Sequence, residues 1–159
     1  IVVTRSREVE AFCRERKIPV LLHAMPYRNH TVHLGLSALL KEYPELAGCM
    51  FALGDQPLLT KETLEAMVIT FSQYYQTASP IFRLAAIAED DSIIPGNPIL
   101  FGNRYFEELL TLPDNQGGNV LLKKYPDNVR YFPVSDPLEL ADADTPADLE
   151  QLKKAEFIR

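Results

Sequence analysis

Apolar runs alternate along this chain with stretches whose apolar positions recur every three to four residues. That rhythm predicts strands of a largely parallel sheet joined by crossover helices. Ile1-Val2-Val3 reads as a first, buried type of strand. Ser6 can cap a helix with Val9, Phe12 and Cys13 on one face, and Ile18 to Leu22 returns as a strand. From Thr31 to Tyr43 the positions Val32, Leu36, Leu39, Leu40 and Tyr43 share a helical face, and Pro44 stops the helix. Cys49 to Leu53 is a continuous apolar strand, followed by a helix through Leu64, Met67, Val68 and Phe71 that Thr60 can cap.

After Pro80 the rhythm changes. Ile81 to Ala88 is apolar, Glu89 to Ser92 is an acidic turn, and Ile99 to Phe101 is a short strand behind a Gly96-Asn97-Pro98 turn. A helix through Phe106, Leu109 and Leu110 precedes a short helical turn opened by Gln116-Gly117-Gly118-Asn119, and Val129, Tyr131 and Phe132 suggest a strand. Thr145-Pro146-Ala147-Asp148 starts the last helix: Thr145 suits the N-cap, Pro146 the first helical position and Asp148 the acid of a capping box.

Size and charge narrow the classes. A chain of 159 residues is about one domain with a real core. No apolar run approaches the roughly 20 residues of a membrane helix. A net charge of -6 offers no basic stripe for nucleic acid, while leaving room for a small anion bound locally. The two cysteines, Cys13 and Cys49, form no CxxC pair, which points away from a disulfide framework or structural zinc and towards a reducing cytoplasm.

Two acidic positions carry candidate chemistry. Asp55 follows an apolar strand and Gly54, so it stands at a strand's carboxyl end, where open α/β sheets bind ligands. A carboxylate there suits Mg²⁺, which takes one or two protein carboxylates plus substrate phosphate oxygens. A turn bond from Asp55 to its own backbone is the commoner explanation of such a residue taken alone. In Asp142-Ala143-Asp144 the two carboxylates face opposite ways on an extended stretch, so one can share a metal with Asp55. Asp142 is the candidate, because Asp144 and Asp148 already serve the helix start, and a solvated loop charge is the commoner explanation of Asp142 taken alone. His23, His30 and His33 have no carboxylate or cysteine near them in sequence to complete a metal site. Thr31 to Leu36 can offer hydroxyl and backbone groups to a nucleobase at a loop-to-helix junction, or Thr31 can simply cap the helix. The glycines of Gly96-Asn97-Pro98 and Gln116-Gly117-Gly118 allow close backbone approach by a ligand, or simple turns. Nothing such as GxSxG supports a hydrolytic triad.

Leu53-Gly54-Asp55-Gln56-Pro57, then Gly96-Asn97-Pro98-Ile99-Leu100-Phe101, then Asp142-Ala143-Asp144-Thr145-Pro146-Ala147-Asp148-Leu149, in this order, resemble the MobA-like nucleotidyltransferases, and among them the molybdenum cofactor cytidylyltransferases. The resemblance implies a Rossmann-like three-layer α/β/α sandwich of the nucleotide-diphospho-sugar transferase type. It implies transfer of CMP from CTP, or GMP from GTP, to molybdopterin with release of pyrophosphate and with Mg²⁺ as cofactor. By position, Asp55 matches the catalytic metal-binding Asp and Asp142 the group completing that metal site. Thr31, His33, Gly54 and Asp55 match nucleotide-binding positions; Gln56, Pro57, Gly96, Asn97, Pro98, Gly117 and Gly118 match the side facing the pterin. A molybdoenzyme or its maturation chaperone is an implied partner. Ala143 replaces a larger apolar residue, and Asn119 stands where an Arg is frequent.

Such enzymes open with a strand and a Gly-rich, basic phosphate loop that this sequence lacks. The expectation is a single domain over residues 1–159 whose first strand and phosphate loop lie upstream, leaving this stretch inactive by itself. Two other readings follow: a non-catalytic carrier or chaperone for molybdopterin, and a sugar-phosphate or isoprenoid nucleotidyltransferase using the same metal-Asp logic.

Overall fold

A computed structural model describes residues 1–75 and 79–156. The chain divides into two compact units, Ile1–Cys49 with Gly102–Pro126, and Met50–Phe101 with Asp127 onward.

In the first unit β1 (Val2–Thr4) pairs in parallel with β2 (Val20–Leu22), placing Val2 beside Val20 and Thr4 beside Leu22. The crossover between them is α1 (Arg7–Glu15), where Ser6 Oγ accepts from the Val9 N–H at 3.3 Å. That cap was expected. Of the expected apolar face only Cys13 is buried; Val9 and Phe12 are exposed, and the Arg16 guanidinium lies 3.7 Å over the Phe12 ring. The helix α2 (Arg28–Glu42) packs on β1 closely enough that a Cβ on Gly35 would stand 3.1 Å from Val3 Cγ2. It starts three residues before Thr31, so Thr31 lies inside the helix and is not its cap. The N-cap residue is Tyr27, with no side-chain bond. Asn29 instead ties the helix start down: its Nδ2 donates to the Leu112 carbonyl at 3.1 Å and to Asp114 Oδ1 at 3.3 Å.

Gly102–Pro126 returns to the same unit through a 3₁₀ turn (Asn103–Tyr105), α3 (Phe106–Leu110) and α4 (Asn119–Lys124). Tyr105, Phe106, Leu109, Leu112 and Leu121 are buried there, and α3 packs on α2.

The second sheet has four strands in the order β3, β5, β4, β6: β3 (Gly48–Phe51), β4 (Ile81–Ile87), β5 (Ile93–Gly102) and β6 (Val129–Pro133). β4 runs parallel to β6 and antiparallel to β5, with a register shift between Arg83 and Ala85. The antiparallel pair departs from the simple alternation of strand and helix. The acidic turn at Glu89–Ser92 is a short hairpin connection in which Ala88 N–H donates to Ser92 O at 2.9 Å. Gly96-Asn97-Pro98 is correspondingly no turn: it lies within β5, with a cis Asn97–Pro98 bond.

The helix α5 (Lys61–Tyr75) covers this sheet, burying Met67 and Phe71 against Phe82, Leu84 and Leu100. Phe71 and Phe82 meet edge to face at 6.0 Å. The helix begins as expected: Thr60 Oγ accepts from the Thr63 N–H at 3.2 Å. The last helix, α6 (Pro146–Glu156), opens with the reciprocal capping box, Thr145 N–H to Asp148 Oδ2 at 2.8 Å and Asp148 N–H to Thr145 Oγ at 3.2 Å. Among the described residues no helix is long and apolar enough to cross a membrane.

Candidate functional site

In the second unit the three sequence motifs converge. Asp55 lies in the loop between β3 and α5, exposed, while its neighbours anchor the loop. Gln56 is 8% exposed and donates from Nε2 to the Leu140 carbonyl at 3.3 Å; Leu58 is buried. The Ala143 N–H donates to the Asp55 carbonyl at 2.7 Å. Glu139, only 3% exposed, accepts from the Thr60 N–H at 3.2 Å and from Thr60 Oγ at 2.9 Å. The loop carrying Asp55 is thus laced at three places to the segment running into Asp142.

That segment also touches the middle motif. Leu140 closes a 3₁₀ turn (Pro137–Leu140) capped by Asp136, and its Cδ2 lies 2.8 Å from where a Cβ on Gly96 would stand. A side chain at position 96 would have to push the Leu140 tip aside for β5 to pass. Arg83 reaches across from β4 and donates from Nε to the Gly96 carbonyl at 2.9 Å. Asn97 is half-buried and Pro98 is fully buried beneath it. Gly54 has open space around its Cα, and Pro57 is exposed.

The donor set fits a hard divalent cation. Asp55 and Asp142 are exposed carboxylates on neighbouring backbone segments, the oxygen chemistry that Mg²⁺ or Mn²⁺ takes when substrate phosphates and water complete its shell. No cluster of three or more His, Cys, Asp or Glu with metal-binding geometry exists among the described residues, so these two carboxylates would need such outside ligands.

In the first unit Thr31 and His33 lie on α2, half-buried. Thr31 Oγ and His23 Nε2 share a hydrogen bond at 3.2 Å, while His23 Nδ1 and His33 Nε2 are enclosed without a partner. Burial first, then the Arg5 guanidinium and His30, hold the His23 imidazole below its ordinary range. Gly117 and Gly118 precede α4, and open space surrounds the Cα of Gly117. Cys49 offers no nucleophile, since burial pushes its thiol up to about 11.

His23, Arg83, Glu139 and Leu140 carry no signal in the sequence for these contacts: His23 stands out there only as a weak metal-ligand candidate, and the buried Glu139 looks like any surface acid of a Pro-Leu-Glu-Leu stretch.

With this geometry in place, residues 1–129 match the MobA-like NTP transferase domain. The chain belongs to that family. No curated protein matches it in sequence. Among solved structures, Rv0371c from Mycobacterium tuberculosis H37Rv is similar at 22% identity and a TM-score of 0.74, over 96% of this chain and 73% of its own. That mycobacterial protein is also known in a complex with manganese. A CMP:2-keto-3-deoxy-manno-octonic acid synthetase complexed with CTP is similar at 13% identity and a TM-score of 0.73, over 99% of this chain and 80% of its own. A 4-diphosphocytidyl-2C-methyl-D-erythritol synthase from Anaerococcus prevotii DSM 20548 is similar at 14% and 0.69, over 99% and 77%. The fold of this MobA-like protein is therefore Rossmann-like α/β, of the nucleotide-diphospho-sugar transferase type.

Proposed function

We propose that this MobA-like protein transfers CMP from CTP, or GMP from GTP, to molybdopterin, releasing pyrophosphate with a divalent metal. The observation that carries the reading is the convergence on Leu140 of Gly54-Asp55-Gln56-Pro57, Gly96 and the segment ending in Asp142. These three pieces are the ones in which the sequence resembles molybdenum cofactor cytidylyltransferases. Two of the similar structures are named for cytidylyl chemistry, which favours CTP over GTP.

In this reading a terminal phosphate oxygen of the acceptor attacks the α-phosphorus of CTP in line, a P–O bond forms, and the bond to the β-phosphate oxygen breaks to release pyrophosphate. Asp55 and Asp142 would hold the metal; when bound, Mg²⁺ or Mn²⁺ offsets charge on the phosphates. The lacing by Gln56 and Ala143 holds the two backbone segments that carry these acids in place before substrate arrives, which lessens the reorganisation left for the reaction. Thr31 and His33 would contact the nucleotide; Asn97 and the Gly117-Gly118 loop would face the acceptor.

A second reading keeps the same nucleotide and metal chemistry with a sugar or isoprenoid acceptor, as in the names of two similar structures. The test is pyrophosphate release by the protein as its gene encodes it, given Mg²⁺, CTP or GTP, and each acceptor in turn. Turnover with molybdopterin alone supports the first reading. Turnover only with 2-keto-3-deoxy-manno-octonic acid or methylerythritol phosphate transfers the assignment to the second. No pyrophosphate release with any of the acceptors and either nucleotide sinks both in favour of a carrier role.

A further inference from the structure

Arg83 lies half-buried in β4, where the pairing with β5 slips. Ala85 pairs with Pro95 and Arg83 with Ile99, so two steps along β4 span four along β5, and the longer strand bulges at Gly96-Asn97-Pro98. Such bulges re-aim side chains and recur beside active sites. The Arg83 guanidinium lies against this one, donating from Nε to the Gly96 carbonyl at 2.9 Å.

A charge drawn out of water is costly unless a counter-charge meets it. Lys61 and Lys153 of the same unit each meet a glutamate on their own helix, and Arg130 is spent on the carbonyls of Asp127 and Val129. Arg83 is more buried than these and meets no carboxylate among the described residues, where the bond from Nε is its one hydrogen bond. Its Nη hydrogens are unspent. Asn97, in the bulge itself, is half-buried too and has no side-chain hydrogen bond among the described residues. Neither the Arg83 Nη atoms nor the Asn97 carboxamide is an enclosed atom without a partner, so both keep a surface open to a ligand. A fixed positive charge and an amide donor, both open and unspent, are the complement of an acceptor-only anion.

We propose that Arg83 binds the phosphate of the acceptor, with Nη1 and Nη2 donating to two of its oxygens and Asn97 Nδ2 sharing one of these, which leaves the third oxygen to attack. This rests on the nucleotidyl-transfer reading of the same unit and adds the group that selects the acceptor's class, a phosphate monoester. A planar guanidinium meets phosphate oxygens in pairs, which an ammonium group does not. The bond to Gly96 already holds the fork in place, so little freedom is lost when the phosphate arrives. An acceptor without the phosphate leaves the half-buried charge unmet and is discriminated against on that account.

Calorimetric titration of phenyl phosphate in EDTA reads this site without nucleotide, metal or turnover, with phenol as the uncharged control. The unaltered protein should bind phenyl phosphate at least tenfold more tightly than phenol. Arg83→Gln, which keeps a donor for the Gly96 carbonyl, should lose at least tenfold with an unchanged Tm, and Arg83→Lys should keep part of the affinity. A merely structural Arg83 would leave the Gln variant as good as the unaltered protein. In the NMR spectrum of the unaltered protein the Arg83 Nε–H signal, assigned by its loss in Arg83→Lys, should shift with phenyl phosphate and stay in place with phenol. In the full reaction Arg83→Gln should raise the KM for a phosphorylated acceptor at least tenfold and leave the KM for CTP unchanged. No binding of phenyl phosphate, equal binding by Arg83→Gln, an unmoved Arg83 signal or an unchanged acceptor KM overturns the proposal, and pyrophosphate release by the unaltered protein then still upholds the transfer reading. If the unaltered protein releases no pyrophosphate while phenyl phosphate binding depends on Arg83, the transfer reading falls and the phosphate site stands.

Discussion

The backbone of Ala143 donates a 2.7 Å hydrogen bond to the carbonyl of Asp55, joining two residues 88 positions apart in the chain. The acid next to the donor, Asp142, is thereby held beside the acid that carries the acceptor. If the pair holds a divalent metal, Asp55→Asn and Asp142→Asn should each reduce Mn²⁺ affinity at least tenfold, measured by the electron paramagnetic resonance of free Mn²⁺. Both side chains are exposed, so Tm should move little. Unchanged Mn²⁺ binding in both variants removes the metal assignment.

Glu139 is a buried acid whose carboxylate meets the Thr60 N–H and hydroxyl at the start of α5. Truncation to Ala strands the Thr60 N–H, and Glu139→Ala should cost about 1–3 kcal/mol in urea unfolding. Glu139→Gln keeps an acceptor of the same shape and should cost clearly less. Equal losses would mean that the charge, and not the acceptor, holds the helix start.

A Cβ on Gly96 would press on the tip of the Leu140 side chain. Gly96→Ala should destabilise by about 1 kcal/mol, the low end of overpacking costs, because the Leu140 tip can turn aside. Adding Leu140→Ala opens the space, so the double variant should lose less than the sum of the two single losses. Strict additivity in a double-mutant cycle would show that the two positions do not press on one another.

The histidine beside Thr31 gives a pH signature. Because the folded state holds His23 below its ordinary value of 6.5, the unfolded chain takes up its proton first as pH falls. Stability from this group is full above 6.5 and declines as pH drops through the window below it. Comparing Tm of the unaltered protein and His23→Gln from pH 8 to 5, the difference between them should shift against the unaltered protein at the acid end. A constant difference across that range contradicts the burial account.

Much of this architecture is written locally. The Ser6 cap, the Thr60 cap and the Thr145–Asp148 box each depend on residues within one turn, and each appears as the sequence indicates. The family motifs were legible too, and residues 1–129 belong to the family they suggested. What escaped is what depends on partners distant in sequence. Gly96-Asn97-Pro98 has the composition of a turn, yet pairing with β4 draws it into β5. Thr31 has the chemistry of a cap, yet Asn29 bonding to Leu112 and Asp114 lets α2 begin three residues earlier. Val9 and Phe12 have the right spacing for a buried face and lie exposed, because periodicity gives a side and not a neighbour to cover it.

Leu140 couples three stretches of the chain mechanically. Its carbonyl serves Gln56, its side chain fills the space beside Gly96, and two residues later the chain reaches Asp142. Three stretches scattered over the sequence are therefore not free to drift separately. A larger side chain at position 96 would displace the Leu140 tip, and a change in the path of the backbone at 140 would cost Gln56 its acceptor. One leucine makes the three stretches a single mechanical part.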